Sequence, residues 1–186
     1  EVLLWKGKYL MVPTEEGIAV VHIRRAHMRI QYERYLKSKQ DAAFQVMPSQ
    51  RLLIPEAITL SKPEVLALLD ARETLAAMGM ELSQVDEQTV ELTAVPSDLT
   101  SLVREALDAV LETFHDGHWD DSEARHRRWA QAWAERVAPK GEVAMPLDAR
   151  RRLVADLWAC EQPHSDPMGR PVMSVWASED LENPFR

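Results

Sequence analysis

Residues 18–37 constrain the fold most, because the spacing of their apolar side chains changes within the segment. Residues 18–23 form a β-branched and apolar run after a turn signal that ends at Gly17, which predicts a buried strand. From Arg25 onward, apolar residues recur at helical spacing, so we expect a helix over about residues 26–39. Apolar residues lie on two sides of this helix, which predicts a cover on each: its own sheet, and a second element or a second subunit. The first side carries Met28, Tyr32, Tyr35 and Leu36, and the second carries Ala26 and Ile30.

The charge balance limits what the surface can bind. The 186 residues carry a net charge of −8, whereas a surface built mainly to grip nucleic-acid phosphates is basic. A local basic patch of Arg24, Arg25, Arg29 and Arg34 is compatible with that balance. The one cysteine, Cys160, excludes an intrachain disulfide and is typical of a reducing compartment. The sequence has no apolar run that could cross a bilayer and no signal-peptide pattern, so we expect a soluble, cytoplasmic piece of a longer protein.

Both ends of the chain carry extended patterns. Residues 2–12 are predicted to be extended and to pair in antiparallel fashion with residues 18–23. A late strand is predicted over residues 172–176. Before it, we expect one helix that Ser122 can cap and another that begins near Pro146.

The middle of the chain carries a separate pattern of helix, hairpin and helix. A capping box at Ser61 and Glu64 begins a helix that ends at Gly79. A hairpin over residues 80–95 and a helix over residues 99–114 follow. We therefore predict an α+β fold with two subdomains, one formed from both chain ends by residues 1–52 and 119–186, and one formed by the inserted residues 53–118.

Two groups of residues contain candidate metal ligands. Residues 115–121 read His-Asp-Gly-His-Trp-Asp-Asp, but their spacing matches no structural zinc pattern, and the simpler interpretation is a solvated linker with acids at a helix start. A second set could bind a metal only if the tail of the chain adjoins the strand-to-helix junction, and otherwise its histidines are packed or hydrogen-bonded residues. This set is His22, His27, Glu33, His164 and Asp166.

Two other kinds of site are not indicated. Cys160 ends an apolar helical face, so we expect it to be a core or helix-end residue rather than a nucleophile. The six glycines are scattered and form no phosphate-binding loop, so no nucleotide site is predicted.

The segment from Gln50 to Pro55 allows two interpretations. An apolar run between a glutamine and a proline is usually an edge strand. The same run suits a recognition peptide, in which Gln50 supplies directional hydrogen bonds and Pro55 stiffens the extended chain. The side chains that would fill a partner's pocket are those of Leu52, Leu53 and Ile54.

Several segments, in this order, resemble the C-terminal domain of MutL mismatch-repair proteins, and the resemblance covers essentially the whole chain. Residues 18–33 resemble the strand and helix that carry the family's signature, with Arg-Ala-His at 25–27 and Arg-Ile-Gln-Tyr-Glu at 29–33 aligning well. Residues 50–55 are similar to the family's Gln-x-x-Leu-x-Pro segment, which implies binding to the replication sliding clamp. Residues 94–96 match the Ala-Val-Pro that follows the family's hairpin, and residues 169–171 resemble the end of its Cys-Pro-His-Gly-Arg-Pro motif.

The same comparison of motifs implies that the family's nuclease site is degenerate here. Many members are metal-dependent nicking endonucleases with the signature Asp-Gln-His-Ala-x-x-Glu-x-x-x-x-Glu, of which this chain keeps only the last acid, Glu33. Losing carboxylate, imidazole and thiolate groups together removes the atoms that hold catalytic metals. The degenerate positions are His22, Arg24, Arg25 and Met28 in the signature, Trp133 at a helix cysteine, and Asp166 and Met168 in the closing motif.

The resemblance therefore implies a non-catalytic homodimerisation domain of a MutL-like DNA mismatch repair protein. Residues 1–52 and 119–186 would form the dimerisation subdomain, and a symmetric dimer would cover the second apolar side of the predicted helix. We expect no metal or other cofactor, with ATP bound only by an N-terminal region that this chain does not include. The expected partners are a second copy and the sliding clamp, with a mismatch-recognition protein and DNA reached through the full-length protein, and no membrane. The alternative is a metal-dependent nicking endonuclease with atypical ligands from the set around His22 and His164.

Overall fold

The computed structural model describes residues 1–37, 47–115 and 121–185 of the chain. Helices and antiparallel sheets are both present, so the predicted α+β class is confirmed. In the described part, no helix combines the length and the apolar composition that crossing a membrane requires.

Strands and helices follow one another along the chain. The strands are β1 (Leu3–Trp5), β2 (Tyr9–Pro13), β3 (Gly17–His22), β4 (Ser49–Thr59), β5 (Glu81–Gln84), β6 (Thr89–Pro96) and β7 (Met173–Ala177). The helices are α1 (Ile23–Lys37), α2 (Lys62–Asp70), α3 (Arg72–Ala77), α4 (Val103–His115), α5 (Ser122–Val137), α6 (Leu147–Trp158) and α7 (Ser178–Glu182), with a final 3₁₀ turn at Asn183–Phe185.

Contacts divide the chain into two compact units. The first unit joins both chain ends, Glu1–Glu33 and Ala138–Arg186, and the second is the continuous stretch Arg34–Val137. The predicted subdomain boundaries, at residues 52–53 and 118–119, are not the boundaries of these contact units. The roles of the two parts as dimerisation and outer subdomains stay predictions.

The first unit contains an antiparallel sheet in the order β1-β2-β3-β7. The predicted pairing of the N-terminal extended residues is confirmed, because Leu10 of β2 lies opposite Val21 of β3. Both of these side chains are fully buried and belong to the core of this unit. The predicted late strand is also confirmed, and it lies beside β3 with Ala177 opposite Gly17.

Helix α1 begins earlier than predicted. Its first residue, Ile23, follows β3 directly and donates its backbone N–H to the carbonyl oxygen of Lys8 at 3.0 Å. The preceding residue, His22, donates its N–H to the carbonyl oxygen of Val172 at 2.8 Å. The chain therefore passes from strand to helix without a connecting loop, which apolar spacing alone does not reveal.

Both apolar sides of α1 are buried within this chain. Ala26 and Ile30 share the core of the first unit with Leu153 and Leu157 of α6. On the other side, Met28 is also fully buried. The helix therefore needs no second subunit to cover it.

The outer face of the four-stranded sheet is a second apolar surface of the first unit. Residues directly opposite each other in antiparallel strands point to the same side of the sheet. By this register, one side carries the buried core residues, and the other side is mostly apolar, with the polar residues His22 opposite Tyr9 and Ser174 opposite Val20. We call the large apolar side chains of this other side the outer sheet face; they are Leu3, Trp5, Tyr9, Met11, Ile18, Val20 and Trp176.

The second unit contains the predicted helix, hairpin and helix. Its sheet has the order β4-β6-β5, and the hairpin β5–β6 is confirmed. The capping box is confirmed too, because the Glu64 carboxylate accepts the backbone N–H of Ser61 at 2.8 Å. The helix predicted up to Gly79 is interrupted at Ala71 and forms α2 and α3. Gly79 ends α3 with a φ of +90°, a conformation that favours glycine.

The cap of α5 differs from the one we predicted. The carboxylate of Asp121, not Ser122, accepts the backbone N–H groups of Glu123 at 2.9 Å and Ala124 at 3.0 Å. These two donors, that of Ala124 first, lower the pKa of Asp121. Asp121 is therefore the N-cap residue, and Ser122 is the first residue of the helix.

Candidate functional site

The degenerate signature lies where β3 passes into α1. His22 is the last residue of β3, and its ring packs edge-on against Tyr9 with 5.3 Å between the ring centroids. Burial lowers the pKa of His22, and the charges of Arg25, Arg170 and Arg24 lower it further. The imidazole thus stands among positive charges, at a position that the resemblance aligns with the aspartate of the family signature. Such surroundings oppose a bound cation.

The two arginines of the signature donate to backbone carbonyls of the same unit. Arg24 reaches the carbonyl oxygens of Ala138 and Pro139, both at 3.3 Å. Arg25 donates to the carbonyl oxygen of Pro171 at 2.8 Å. These guanidinium groups hold chain segments together, which limits their freedom to form the DNA-binding patch considered above.

Glu33, the surviving acid, is occupied by donors from the chain. Its two carboxylate oxygens accept the backbone N–H groups of Glu161 at 2.8 Å and Gln162 at 3.1 Å. A guanidinium nitrogen of Arg29 lies 3.6 Å from the carboxylate, and both side chains are buried. Both oxygens that could bind a metal are thus already hydrogen-bonded.

Asp166, which the resemblance aligns with the cysteine of the closing motif, is almost wholly buried, with 1% of its surface exposed. One carboxylate oxygen accepts the backbone N–H groups of Met168 and Arg170, both at 2.9 Å. The other oxygen accepts the Nε–H of Arg170 at 2.7 Å. A terminal nitrogen of the same guanidinium lies 3.8 Å from the sulfur of Met28. The acid is therefore paired with an arginine of its own loop.

Trp133, which the resemblance aligns with the cysteine of a family helix, is a core residue of the second unit. Its indole is fully buried, and Nε1 donates to the carbonyl oxygen of Ala106 at 2.9 Å. The ring packs edge-on against Tyr35 at 5.4 Å between centroids. An indole at this position offers no lone pair to a metal.

Candidate metal ligands are dispersed in the described part of the chain. Within residues 1–37, 47–115 and 121–185, no three His, Cys, Asp or Glu side chains are grouped so as to hold an ion. The alternative ligand set around His22 and His164 lies entirely in that part of the chain, and it is not assembled. Of the His-Asp-Gly-His-Trp-Asp-Asp run, residues 116–120 lie outside the described residues.

Cys160 lies just after α6, as expected for a helix-end residue. Its thiol donates to the carbonyl oxygen of Asp156 at 3.4 Å. The side chain also packs against the core of the first unit. These contacts agree with the predicted core or helix-end role.

The segment from Gln50 to Pro55 is part of an edge strand and leaves the sheet in its middle. Gln50 lies opposite Val95 of β6, but the pairing stops after Arg51 and resumes at Glu56. The four residues 52–55 face Thr93 alone, so they form a bulge. Leu53 is fully exposed at 103% and Ile54 is 84% exposed, whereas Leu52 is half-buried. Leu53 and Ile54 are the two most exposed of the large apolar side chains in the described part of the chain.

Two arginines at the junction were not among the predicted site residues. Arg29 donates to the carbonyl oxygens of Ser165 at 2.6 Å and Asp166 at 3.0 Å, and Arg170 pairs with Asp166. The i, i+4 spacing of Arg29 from Arg25 and Glu33 could have indicated one polar stripe on α1. Its partners are mostly backbone atoms, which leave no pattern in the sequence.

Comparison with known proteins gives the family of this chain. A family model described as the MutL C-terminal dimerisation domain matches residues 2–144. The class of the protein is therefore a dimerisation domain of DNA mismatch repair. The chain belongs to the MutL C-terminal dimerisation domain family.

Relatives that match nearly the whole of this chain agree with this assignment. The chain is 27% identical to the DNA mismatch repair protein MutL of Parabacteroides distasonis, over 98% of this chain and 29% of the relative. It is 32% identical to MutL of Opitutus terrae, over 97% of this chain and 28% of the relative. It is 31% identical to MutL of Methanocorpusculum labreanum, over 95% of this chain and 30% of the relative. The chain thus spans less than a third of each of these relatives.

Proposed function

We propose that this domain joins two copies of a MutL-like mismatch repair protein, has no catalysis of its own, and binds the replication sliding clamp through residues 50–55. In the full-length protein it would tether two ATPase regions and raise their effective concentration for each other. A mismatch-recognition protein and DNA would be reached through those other regions. The observation that carries the clamp proposal is the bulge of β4, and the outer sheet face supports the dimer.

The bulge presents the features that a recognition peptide needs. Residues 52–55 have no partners in the register of β6, and Leu53 and Ile54 place two large side chains in water. Burial of a Leu or Ile side chain in a partner's pocket contributes roughly 1.5–3 kcal/mol each. Gln50 is exposed just before them, where its amide can donate and accept hydrogen bonds. Pro55 restricts the backbone and lowers the entropy lost on binding.

The outer sheet face presents the features that a second copy needs. Leu3 is 54% exposed, and Trp5 and Trp176 are each 50% exposed, on a face whose other members are half-buried and apolar. A contiguous apolar patch of this kind typically marks a protein interface. In a symmetric dimer the same patch on both copies would be buried, so the face would complement itself.

The absence of catalysis is proposed because the atoms that would hold a metal are engaged elsewhere. Glu33 and Asp166 already accept hydrogen bonds from backbone N–H groups and have arginine partners. His22 faces three arginine charges. Removing these partners to admit a cation would leave buried donors unsatisfied.

The clamp proposal is tested by the double variant Gln50→Ala, Leu53→Ala. We expect it to weaken binding to the sliding clamp by about tenfold or more, because it removes the amide and an anchor side chain. Leu66→Ala is the matched control, since Leu66 is 68% exposed in the same unit and lies on α2. Binding is measured by surface plasmon resonance with immobilised clamp. Equal affinity of the double variant and the wild type would refute the clamp proposal.

The non-catalytic proposal is tested with supercoiled DNA and Mn²⁺. We expect no nicking above that of the buffer and no stoichiometric zinc or manganese by elemental analysis, because the candidate ligands have other partners. Nicking that is abolished by Glu33→Gln would instead favour the alternative, a nuclease with atypical ligands.

A further inference from the structure

We propose that the polar stripe of α1, formed by Arg25, Arg29 and Glu33, is a clasp that sets the position of β7 on the sheet. It does so by binding the tail loop, residues 159–172, which connects α6 to β7. The degenerate nuclease positions would thus serve to complete the outer sheet face. The consequence for the dimer rests on the proposed function, whereas the clasp itself does not.

The stripe contacts the tail loop at its beginning, middle and end. Residues at i, i+4 and i+8 lie along one side of a helix, so the three side chains form one row. Glu33 binds the backbone N–H groups at 161 and 162, and Arg29 binds the carbonyl oxygens at 165 and 166. Arg25 binds the carbonyl oxygen at 171. In each of these hydrogen bonds the side-chain partner is charged, and hydrogen bonds to a charged group are stronger than those between neutral groups.

The tail loop also has an internal brace. Asp166 binds the N–H groups and the guanidinium of the turn that follows it, including Arg170. Two backbone bonds close the turn, from Asp166 N–H to the carbonyl of Arg170 and from Val172 N–H to the carbonyl of His164, both at 2.8 Å. The tail loop therefore has a conformation fixed by its own hydrogen bonds, and the clasp holds it against α1.

Little burial holds β7 in the described part of the first unit. Of its five residues only Met173 packs against the core, and the other four are exposed. Its other attachments are the ladder to β3, the bond from His22 N–H to the carbonyl of Val172 before the strand, and the bond from Ser178 N–H to the carbonyl of Glu16 after it. An edge strand with so little burial opens easily unless its ends are held. Trp176 then completes the outer sheet face only while β7 is in register.

Hydrogen exchange measured by mass spectrometry distinguishes a local effect of the clasp on β7 from a loss of stability of the whole domain. We expect Glu33→Gln and Arg29→Met to raise exchange in β7 about tenfold or more, because each removes charged hydrogen bonds to the loop. The hairpin β1–β2 should keep its wild-type exchange rate. Arg24→Met is the matched control, since this arginine binds the carbonyls of Ala138 and Pro139 instead. Arg29→Lys, which keeps the charge, should restore part of the protection.

The measurement is made in a Trp5→Glu background, so that protection of β7 by a second copy does not contribute. Unchanged exchange in β7 for both variants would overturn the clasp, as would an equal rise in all strands or the same rise in Arg24→Met. If Arg29→Met does not fold, Glu33→Gln and Arg25→Met decide the question. A wild-type chain that is monomeric would contradict the proposed dimer but would leave this comparison intact.

Discussion

At the scale of single residues, the two buried acids of the junction show how a chain can supply its own counter-charges. A buried carboxylate is costly unless hydrogen bonds and an opposite charge compensate it. Glu33 obtains both from two backbone N–H groups and Arg29, and Asp166 obtains both from its own turn and Arg170. A guanidinium provides the positive charge that a metal ion would otherwise contribute, with donors in fixed directions.

Gly17→Ala gives the first prediction at this scale. Gly17 has a φ of +150°, and an added Cβ would lie 2.0 Å from the carbonyl oxygen of Trp176. We expect the variant to separate β7 from β3 and to destabilise the domain by more than the roughly 1–3 kcal/mol of backbone strain alone. Urea unfolding measures the stability, and hydrogen exchange in β7 measures the separation.

Gly141→Ala is the matched control for that prediction. Gly141 also has a positive φ, +84°, but no atom lies within 4 Å of an added Cβ. This variant should therefore show the backbone strain without the collision and leave β7 protected. A loss of β7 protection in Gly141→Ala equal to that in Gly17→Ala would show that the close approach of the strands is not the cause.

Sequence reasoning located the junction but assigned its role only in part. His22, Met28 and Asp166 lie around Arg170, where α1 and the tail loop meet. The clasp was not foreseen, because Arg29 and Glu33 bind backbone atoms more than 120 positions away. Any residue type at those distant positions would present the same N–H or carbonyl group.

At the scale of elements, β4 shows how one short apolar run can pair in a sheet at its ends and still present its middle to a binding partner. Its two ends pair with β6, and its middle bulges away over residues 52–55. The flanking pairs fix the ends of the bulge, so a partner would meet a segment whose path is largely set before binding. The two interpretations of the sequence, edge strand and recognition peptide, therefore describe different parts of one strand.

Asp121→Ala gives the prediction at this scale. The variant removes the acceptor for two N–H groups at the start of α5, so we expect the melting temperature at pH 7 to fall by about 2–4 °C. Ser122→Ala is the control and should leave the melting temperature unchanged. A larger effect of Ser122→Ala than of Asp121→Ala would contradict the assignment of the cap.

The pH dependence of this cap follows from the pKa of Asp121, which the N–H donors lower below its usual value. A carboxyl group whose pKa is lowered by folding stabilises the folded state above its unfolded pKa. That stabilisation is lost as the pH falls through the folded pKa. Differential scanning calorimetry should therefore find a smaller difference between Asp121→Ala and the wild type at pH 3 than at pH 7.

Periodicity predicted most elements, and its failures have local causes. It located β3, the hairpin β5–β6 and α6, whose apolar spacing is regular. It placed the start of α1 too late because Ile23 ends the strand pattern while already helical. It missed the division at Ala71 because apolar spacing continues across the break between α2 and α3.

At the scale of the whole molecule, the dimer is predicted to depend on the outer sheet face. We expect a dimeric mass at micromolar concentration by light scattering, and a dissociation constant raised at least about thirtyfold by Trp5→Glu, because a charge would be buried among apolar side chains. Trp158→Glu is the matched control, since Trp158 is 45% exposed on α6 and is not part of this face. A monomeric wild type, or equal weakening by both variants, would contradict the interface.

The pairing of β7 with β3 also has a consequence for how the domain is made. Gly17 and Ala177 are neighbours in the sheet, yet the whole of Arg34–Val137 is synthesised between them. The four-stranded sheet therefore cannot be completed until the last strand has left the ribosome, and until then the edge of β3 stays open. Long-range pairing of this kind slows folding and prolongs the time during which an unpaired strand can aggregate. The second unit, whose contacts are all closed by residue 137, can fold during that interval.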